Sequence, residues 1–148
     1  MESRSVSIAW KVMMVPNFVV LLLGLVFTFI PDAVLSSGFG LFSGQSWSSL
    51  VSASPKTAEF ILLTAGRMFG VHILAMNVLG IAVTLKSFRK GERWSWYALL
   101  ISFTFGLVFD AAAVFIIGEI AVVVVDIIML LLVYIALGIS AKDILSKK

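Results

Sequence analysis

The sequence contains no cysteine and only one histidine, His72. Without cysteine the chain forms no disulfide, thiolate nucleophile, CxxC redox centre or thiolate-held iron–sulfur cluster. A single histidine without cysteine also disfavours a zinc or haem site built from this chain alone. We therefore expect no metal site and no other cofactor.

Charged residues are also scarce, at 13% of the 148 residues, whereas 61% are hydrophobic. Typical soluble domains are about 25% charged and about 45–50% apolar. The apolar excess falls in four runs, at 10–30, 58–85, 96–118 and 120–140, each close to the ~20 residues that cross a bilayer. The sequence therefore predicts an all-α membrane protein, with residues 1–148 forming one four-transmembrane-helix bundle. The third and fourth runs are almost continuous, so their helices must be antiparallel neighbours.

The positions of the basic residues predict the orientation of the helices. Three segments are basic: the N-terminal segment, the loop between the second and third helices, and the C-terminal tail. Their basic residues are Arg4, Lys11, Lys86, Arg89, Lys90, Arg93, Lys142, Lys147 and Lys148. The only basic residue in the loops on the opposite side is Lys56. We therefore expect both termini to be cytoplasmic in a multi-pass protein of the cell membrane. These cations lie at membrane boundaries, where they attract anionic lipid, so the net charge of +3 does not indicate nucleic-acid binding.

The segment between the first and second helices, residues 31–57, is predicted to be an external loop. It is rich in serine and glycine but retains Phe39, Phe42 and Trp47, which a flexible linker would lack. We expect these side chains to pack on the outer end of the bundle, with a short interfacial helix around residues 47–51. Such a loop is either a packed surface segment or a lid over an external cavity.

Three ionisable residues interrupt three different apolar runs: Arg67, Asp110 and Asp126. Counted from the predicted outer ends of their helices at about 1.5 Å per residue, they lie at depths of roughly 13, 12 and 9 Å. A charge in the bilayer core costs at least a few kcal/mol, so such residues usually face each other or a wet cavity. We expect Arg67 to lie within salt-bridge or one-water reach of Asp110, Asp126 or both.

The helical periodicity places each of these residues on or beside a face made of small or polar side chains. The second helix contributes Glu59, Gly66, Gly70 and Asn77, the third Ser95, Ser102, Gly106 and Asp110, and the fourth Glu119, Asp126, Tyr134 and Ser140. This agreement predicts one polar seam inside the bundle, with Glu59, Asn77 and Glu119 as supporting residues. The Gly66-x-x-x-Gly70 spacing also predicts the close approach of a neighbouring backbone.

Two roles fit the cluster of one arginine and two aspartates. In the structural role, the Arg67 guanidinium neutralises one or both acids and locks three helices together. In the binding role, one arginine against two acids leaves a carboxylate for a proton, a cation or a polar ligand that enters from outside. The residue pattern alone is compatible with both roles.

His72 lies off the polar face of the second helix, so we do not expect it to join this cluster. A lone histidine in a membrane helix more often hydrogen-bonds a neighbouring helix or meets a partner subunit. His72 also lies about 14 residues into its helix, too deep to activate an external serine as a nucleophile. We therefore predict no catalytic residue, and the sequence favours a protein that is not an enzyme.

Two short motifs resemble the small four-helix membrane proteins of the DoxX-like group. They are RMFG at residues 67–70, in the second helix, and FRKGERWSWY at residues 88–97, leading into the third. The resemblance implies the four-helix topology. For some members of the group it also implies a link to quinone-reactive complexes, and it transfers no catalytic residue to this chain.

Three functions are compatible with this sequence. The first is a non-catalytic subunit or assembly partner of a membrane complex, or a member of a homo-oligomer, which the small size and short loops favour. The second is a binder or carrier of a small polar or amphipathic ligand at the outer-half cluster of arginine and aspartate. The third, a quinone-linked enzyme component, rests on the DoxX-like resemblance alone.

Overall fold

The regular structure of this protein is helical. The computed structural model describes residues 3–34, 36, 45–116 and 120–146, and no strand occurs within them. The main helices are α1 (Arg4–Phe29), α2 (Trp47–Ala53), α3 (Pro55–Phe88), α4 (Arg93–Ile116) and α5 (Ile120–Leu145). The predicted all-α class is therefore confirmed.

Four of these helices, α1, α3, α4 and α5, are long and apolar enough to cross a membrane. This confirms the four predicted apolar helices and supports a membrane location. The helices are longer than the apolar runs, since α1 begins at Arg4 rather than at residue 10 and α5 ends at Leu145 rather than at residue 140. Hydropathy marks only the part of a helix that suits hydrocarbon, whereas its backbone hydrogen bonds continue into the polar flanks.

Helix α3 departs from the regular α-helix in two places. Its segments Leu62–Met68 and Thr84–Phe88 are π-helical, whereas Pro55–Ile61 and Phe69–Val83 are α-helical. A π-helical turn is closed by i→i+5 rather than i→i+4 hydrogen bonds, so it holds more residues per turn. Arg67 lies in the first π-helical segment. The assignment of residues to helix faces at about 100° per residue does not hold in this segment, because each of its turns contains more residues.

The chain forms two compact units. The first consists of Met1–Val19 and Val78–Lys148, and the second of Val20–Asn77. The first unit therefore contains the beginning of α1, the end of α3, and the whole of α4 and α5. The second contains the remainder of α1 and α3, with α2 between them in sequence.

The first unit is held together by apolar side chains from all four of its helices. Its buried core consists of Val6, Ala9, Met13, Phe88, Leu99, Val133, Ala136, Leu137 and Ile144. Along α1 and α5 these residues recur at intervals of three, four or seven, which places them on one face of each helix. Ala9 and Ala136 are fully buried, and such small side chains let neighbouring backbones approach closely.

Polar and aromatic contacts join the same ends of these helices. The Ser5 hydroxyl donates a hydrogen bond to Asp143 and so links α1 to α5. The guanidinium carbon of Arg89 lies 5.1 Å from the centroid of the Trp10 ring. This cation–π contact fastens the connection between α3 and α4 to α1.

A tight turn joins α3 to α4. Gly91 adopts a positive φ of 73°, which residues with a Cβ rarely adopt, and its N–H donates to Phe88 O at 2.9 Å. The indole N–H of Trp94 donates to Glu92 Oε2 at 2.7 Å, and this hydrogen bond lowers the pKa of Glu92. The turn thus sets the start of α4 directly after the end of α3.

In the second unit, glycines bring α1 and α3 into close contact. A Cβ built on Gly70 would lie 2.5 Å from the backbone nitrogen of Thr28, and one built on Gly66 would lie 2.6 Å from Pro31 Cβ. These distances confirm the close approach predicted from the Gly66-x-x-x-Gly70 spacing. They also identify the neighbour, which is the end of α1 and the residues that follow it.

Part of the predicted external loop is helical and packed. Helix α2 confirms the short helix predicted around residues 47–51. The Trp47 side chain is buried, and its indole N–H donates to Asp32 Oδ1 at 3.1 Å. The predicted burial of Trp47 is therefore confirmed, and its position at the outer end of the bundle stays a prediction. Phe39 and Phe42 lie outside the described residues.

Candidate functional site

Helices α4 and α5 form the antiparallel pair that the sequence predicts. Two hydrogen bonds define its register: Trp96 Nε1 donates to Leu137 O at 3.0 Å, and the hydroxyl oxygens of Thr104 and Tyr134 lie 3.1 Å apart. The sequence separation of the partners falls from 41 to 30 residues toward the α4–α5 connection, as it must in an antiparallel pair. We call this pair of helices the α4–α5 hairpin.

The register of the hairpin brings two of the three predicted site residues together. Asp110 lies six residues beyond Thr104 on α4, and Asp126 lies eight residues before Tyr134 on α5. This register places Asp110 and Asp126 at about the same level of the hairpin. Like charges repel strongly where water is scarce, so this acid pair is the main electrostatic feature of the hairpin.

The two aspartates differ in their access to the surroundings. Asp110 is exposed, whereas only 7% of the surface of Asp126 is exposed. The Oδ2 atom of Asp126 is buried and has no hydrogen-bond partner among the described residues. A buried carboxylate that is ionised and unpaired is strongly disfavoured, so Asp126 requires a proton or a positively charged group.

Arg67, the third predicted site residue, lies in the second unit. Its side chain is exposed, and it is part of the first π-helical segment of α3. The two aspartates belong to the first unit, so the pairing of Arg67 with Asp110 or Asp126 stays a prediction. π-helical turns are rare and often occur at functional sites, which adds a structural reason to test this arginine.

His72 forms its observed hydrogen bond within its own helix. Its side chain is exposed, and ring Nδ1 lies 2.6 Å from the backbone oxygen of Met68, one turn earlier in α3. The sequence favoured either a hydrogen bond to a neighbouring helix or a contact with a partner subunit. For Nδ1 the predicted hydrogen bond to a neighbouring helix is wrong. A short polar side chain in an apolar segment often binds a carbonyl of the preceding turn, because such an acceptor is always within reach.

The three supporting residues have different positions. Asn77 is buried, with 5% of its surface exposed. Glu59 is exposed near the beginning of α3. Glu119 lies outside the described residues. Of these three, Asn77 is the one that the structure places in an interior position.

The α4 face that was predicted to line a polar seam is only partly buried. Ser95 is fully buried, but Ser102 and Gly106 are exposed. The prediction that this face lines the interior is therefore wrong for both residues and for Asp110, which is exposed too. On α5 the predicted seam residue Tyr134 is likewise exposed. Leu99 and Leu107 occupy the buried positions of α4 instead. In a membrane the polar face of a helix need not be the inner face, because apolar side chains suit both lipid and the protein interior.

The contact between Thr104 and Tyr134 was missed from the sequence. Tyr134 was assigned to the polar face of the fourth helix, but Thr104 was not identified as its partner. The two residues lie at nearly equal distances in sequence from the short α4–α5 connection. In an antiparallel hairpin such residues face each other, so their contact could have been predicted from the sequence. This signal depends on the hairpin geometry and not on helical periodicity.

The chain matches no known protein-family model, and no curated protein or solved structure is significantly similar to it. Across residues 3–34, 36, 45–116 and 120–146, no three side chains of the usual metal-binding types are grouped together. The chemistry of the site therefore depends on the two carboxyl groups of Asp110 and Asp126. Two carboxyl groups on facing apolar helices can hold a proton or attract a cation.

Proposed function

We propose that this protein is a non-catalytic integral membrane subunit that binds another membrane-spanning helix on one face of α4. The observation that carries the proposal is a run of three exposed residues spaced four apart, Ser102, Gly106 and Asp110. Residues at this spacing lie one above another along one side of a helix. We call this run the small–acid stripe.

The small–acid stripe has two properties that favour the binding of a helix. Small residues spaced four apart let a second backbone approach closely, and close packing drives the association of helices in membranes. Gly106 leaves open space, since a Cβ built there meets no described atom within 4 Å apart from its chain neighbours and the nearby backbone of its own helix. Asp110 adds an ionisable group that hydrocarbon disfavours, so a protein partner suits this face better than lipid does.

Gly138 on α5 provides a matched comparison. It is also exposed, and a Cβ built on it likewise meets no described atom within 4 Å. Its neighbours four residues away on either side are Tyr134 and Lys142, which are large. A second backbone therefore approaches Gly138 less closely than it approaches Gly106.

Gly106→Leu should reduce recovery of the partner about tenfold or more, which corresponds to about 1.4 kcal/mol of binding free energy. The added side chain fills the space that a partner backbone would occupy. Gly138→Leu, which adds the same side chain to the other exposed glycine, should leave recovery unchanged. The measurement is native mass spectrometry of tagged protein that has been gently extracted from its own membrane.

A stoichiometric protein, either a different chain or a second copy, that is lost only with Gly106→Leu would support the proposal. Equal recovery with both variants would contradict it. A small molecule retained without any protein partner would also contradict it and favour the ligand-carrier alternative.

The proposal includes an orientation in which both termini and the α3–α4 turn are cytoplasmic. The clustering of basic residues at these three places supports it. A reporter that is active only outside the cytoplasm should give no signal when it is fused after Lys148. A fusion after Ser54, between α2 and α3, should be active and serves as the positive control. Strong activity of the Lys148 fusion would reject this orientation.

Membership of the DoxX-like group is a separate proposal, supported by the RMFG motif and by the motif of the α3–α4 turn. The presence of four long apolar helices agrees with it. A quinone retained together with the protein partner in the same mass spectra would favour a link to quinone-reactive complexes.

A further inference from the structure

We infer that Asp110 and Asp126 form a proton-binding site in the α4–α5 hairpin, where the two carboxyl groups together hold one proton. The inference goes beyond the proposed assembly role, because it concerns two helices of one chain and needs no partner. It rests on the burial of Asp126, on its unpaired oxygen, and on the position of Asp110 across the hairpin.

The first ground is the environment of Asp126. The residue is more than nine-tenths buried, with 7% of its surface exposed, in the middle of an apolar stretch of α5. Its Oδ2 atom accepts no hydrogen bond from the described residues. Native proteins pair nearly all of their buried polar atoms, so this oxygen is a place where a proton can be bound. A proton on this carboxyl group removes the buried charge.

The second ground is the arrangement of charges in the hairpin. The hairpin register places Asp110 and Asp126 at about the same level, and both groups carry a negative charge when they are ionised. The basic residues of α4 and α5 are Arg93 and Lys142, which lie 17 and 16 residues from the aspartates of their helices. That separation is roughly 25 Å along each helix. Neither cation is in a position to neutralise the acid pair.

The other ionisable groups that the structure describes in the first unit lie too far from the acid pair to neutralise it in place of a proton. Tyr134 is the nearest titratable residue along α5, about 12 Å from Asp126, and its hydroxyl shares a hydrogen bond with that of Thr104. The other basic side chains that the structure describes in the first unit lie at the opposite end of that unit, near the buried Phe88; they are Arg4, Lys11, Lys86, Arg89 and Lys90. If Arg67 pairs with the aspartates as predicted, its single charge balances only one of the two carboxylates.

The two acids differ in exposure and therefore have different roles in the site. Asp110 is the exposed member of the pair and Asp126 the buried one, so the shared proton enters and leaves through Asp110. Loading and release of the proton change the charge of the hairpin by one unit. The site therefore makes the charge of the membrane-embedded part of this chain dependent on pH.

The probe for this site is dicyclohexylcarbodiimide, an apolar reagent that reacts with protonated carboxyl groups inside membranes. The carboxyl oxygen adds to the central carbon, the acid proton moves to nitrogen, and rearrangement gives an N-acylurea without any further reactant. Wild-type protein in lipid nanodiscs should give an adduct on Asp110 or Asp126, located by peptide mass spectrometry. Because only the protonated form reacts, the rate should fall about tenfold for each unit of pH above its midpoint.

The double variant Asp110→Asn/Asp126→Asn should lose the adduct. Asp143→Asn is the control, because it removes an acid of α5 that contacts Ser5 at the far end of the first unit, and it should leave labelling unchanged. The absence of an adduct on both aspartates at every pH, or a rate that does not depend on pH, would overturn the inference.

Infrared spectroscopy of the wild-type protein gives a second readout that does not depend on how the variants fold. It should show the carbonyl stretch of a protonated carboxyl group that disappears at alkaline pH and shifts in heavy water. A spectrum that shows only ionised carboxylates at mildly acidic pH, where ordinary exposed carboxyl groups are still ionised, would also overturn the inference.

Discussion

Gly70→Ala should destabilise this protein, although an alanine in the interior of a helix is usually more stable than a glycine by roughly 0.5–1 kcal/mol. The new Cβ would lie 2.5 Å from the backbone nitrogen of Thr28 and 2.8 Å from the carbonyl carbon of Phe27. Backbone atoms cannot rotate away as a side chain can, so α1 and α3 must move apart. Overpacking of this kind typically costs about 1–3 kcal/mol.

The other glycines of the chain provide a graded series for this prediction. A Cβ on Gly66 meets Pro31 Cβ at 2.6 Å, so Gly66→Ala should also destabilise. A Cβ on Gly24 lies 3.0 Å from side-chain atoms of Ile73 and Leu74, which can adjust, so the effect of Gly24→Ala should be smaller.

The matched controls are Gly106→Ala and Gly138→Ala, because a Cβ at either position meets no described atom within 4 Å. Neither change should destabilise the purified protein. The free energy of unfolding, measured by denaturant titration in mixed micelles, compares all of these variants. If Gly70→Ala behaves like the two controls, the close contact between α1 and α3 is wrong.

The number of helices is predictable from the sequence because the membrane imposes a simple length requirement. About 20 apolar residues are needed to cross the hydrocarbon, and four such runs are visible without any knowledge of packing. The ends are harder to predict, since α1 begins at Arg4 and α5 ends at Leu145, both in polar flanks that remain helical. Hydrogen bonding continues there, whereas the hydrophobic signal does not.

The faces of the helices are less predictable than their number. The Gly66-x-x-x-Gly70 spacing correctly predicted a close backbone contact, because only the smallest residues permit one. The outward exposure of Ser102 and Gly106 was not predicted. In a soluble helix the apolar stripe marks the core, but in a membrane lipid is as apolar as leucine, so that stripe carries no such information.

The candidate site was predictable in part. Asp110 and Asp126 were assigned to a common depth, and the hairpin register places them at about the same level, whereas the pairing of Arg67 with them stays a prediction. The π-helical segment around Arg67 was not predictable from a regular periodicity, because nothing in its composition distinguishes it from an α-helical turn. The face on which Arg67 projects is therefore the least predictable part of the site.

Arg67→Ala should destabilise the protein by more than the roughly 1 kcal/mol that an exposed ion pair contributes, because its predicted partner Asp126 is buried and would be left unpaired. The reason is the matched depth of Arg67, Asp110 and Asp126 in the sequence and the cost of leaving any of them alone in hydrocarbon. The loss should be larger at high pH, where both acids are ionised, than at low pH, where protonation removes the stranded charge. The free energy of unfolding in mixed micelles at both pH values is the measurement.

Lys56→Ala is the matched control, because Lys56 is an exposed cation of the same helix near its polar end. Its effect should stay within about 0.5 kcal/mol at both pH values, as is usual for surface changes. If Arg67→Ala resembles Lys56→Ala throughout, the predicted pairing of Arg67 with the aspartates is wrong.

A third variant separates a charge effect from a packing effect. Replacing Arg67, Asp110 and Asp126 together by leucine removes every charge of the cluster, and buried ion pairs replaced by apolar residues often lose little stability. We expect this triple variant to recover much of the stability that Arg67→Ala loses. Failure to recover it would mean that Arg67 acts through the packing of its π-helical segment rather than through the acids. A triple variant that is stable but no longer assembles in its native membrane would show that the charges serve function rather than folding.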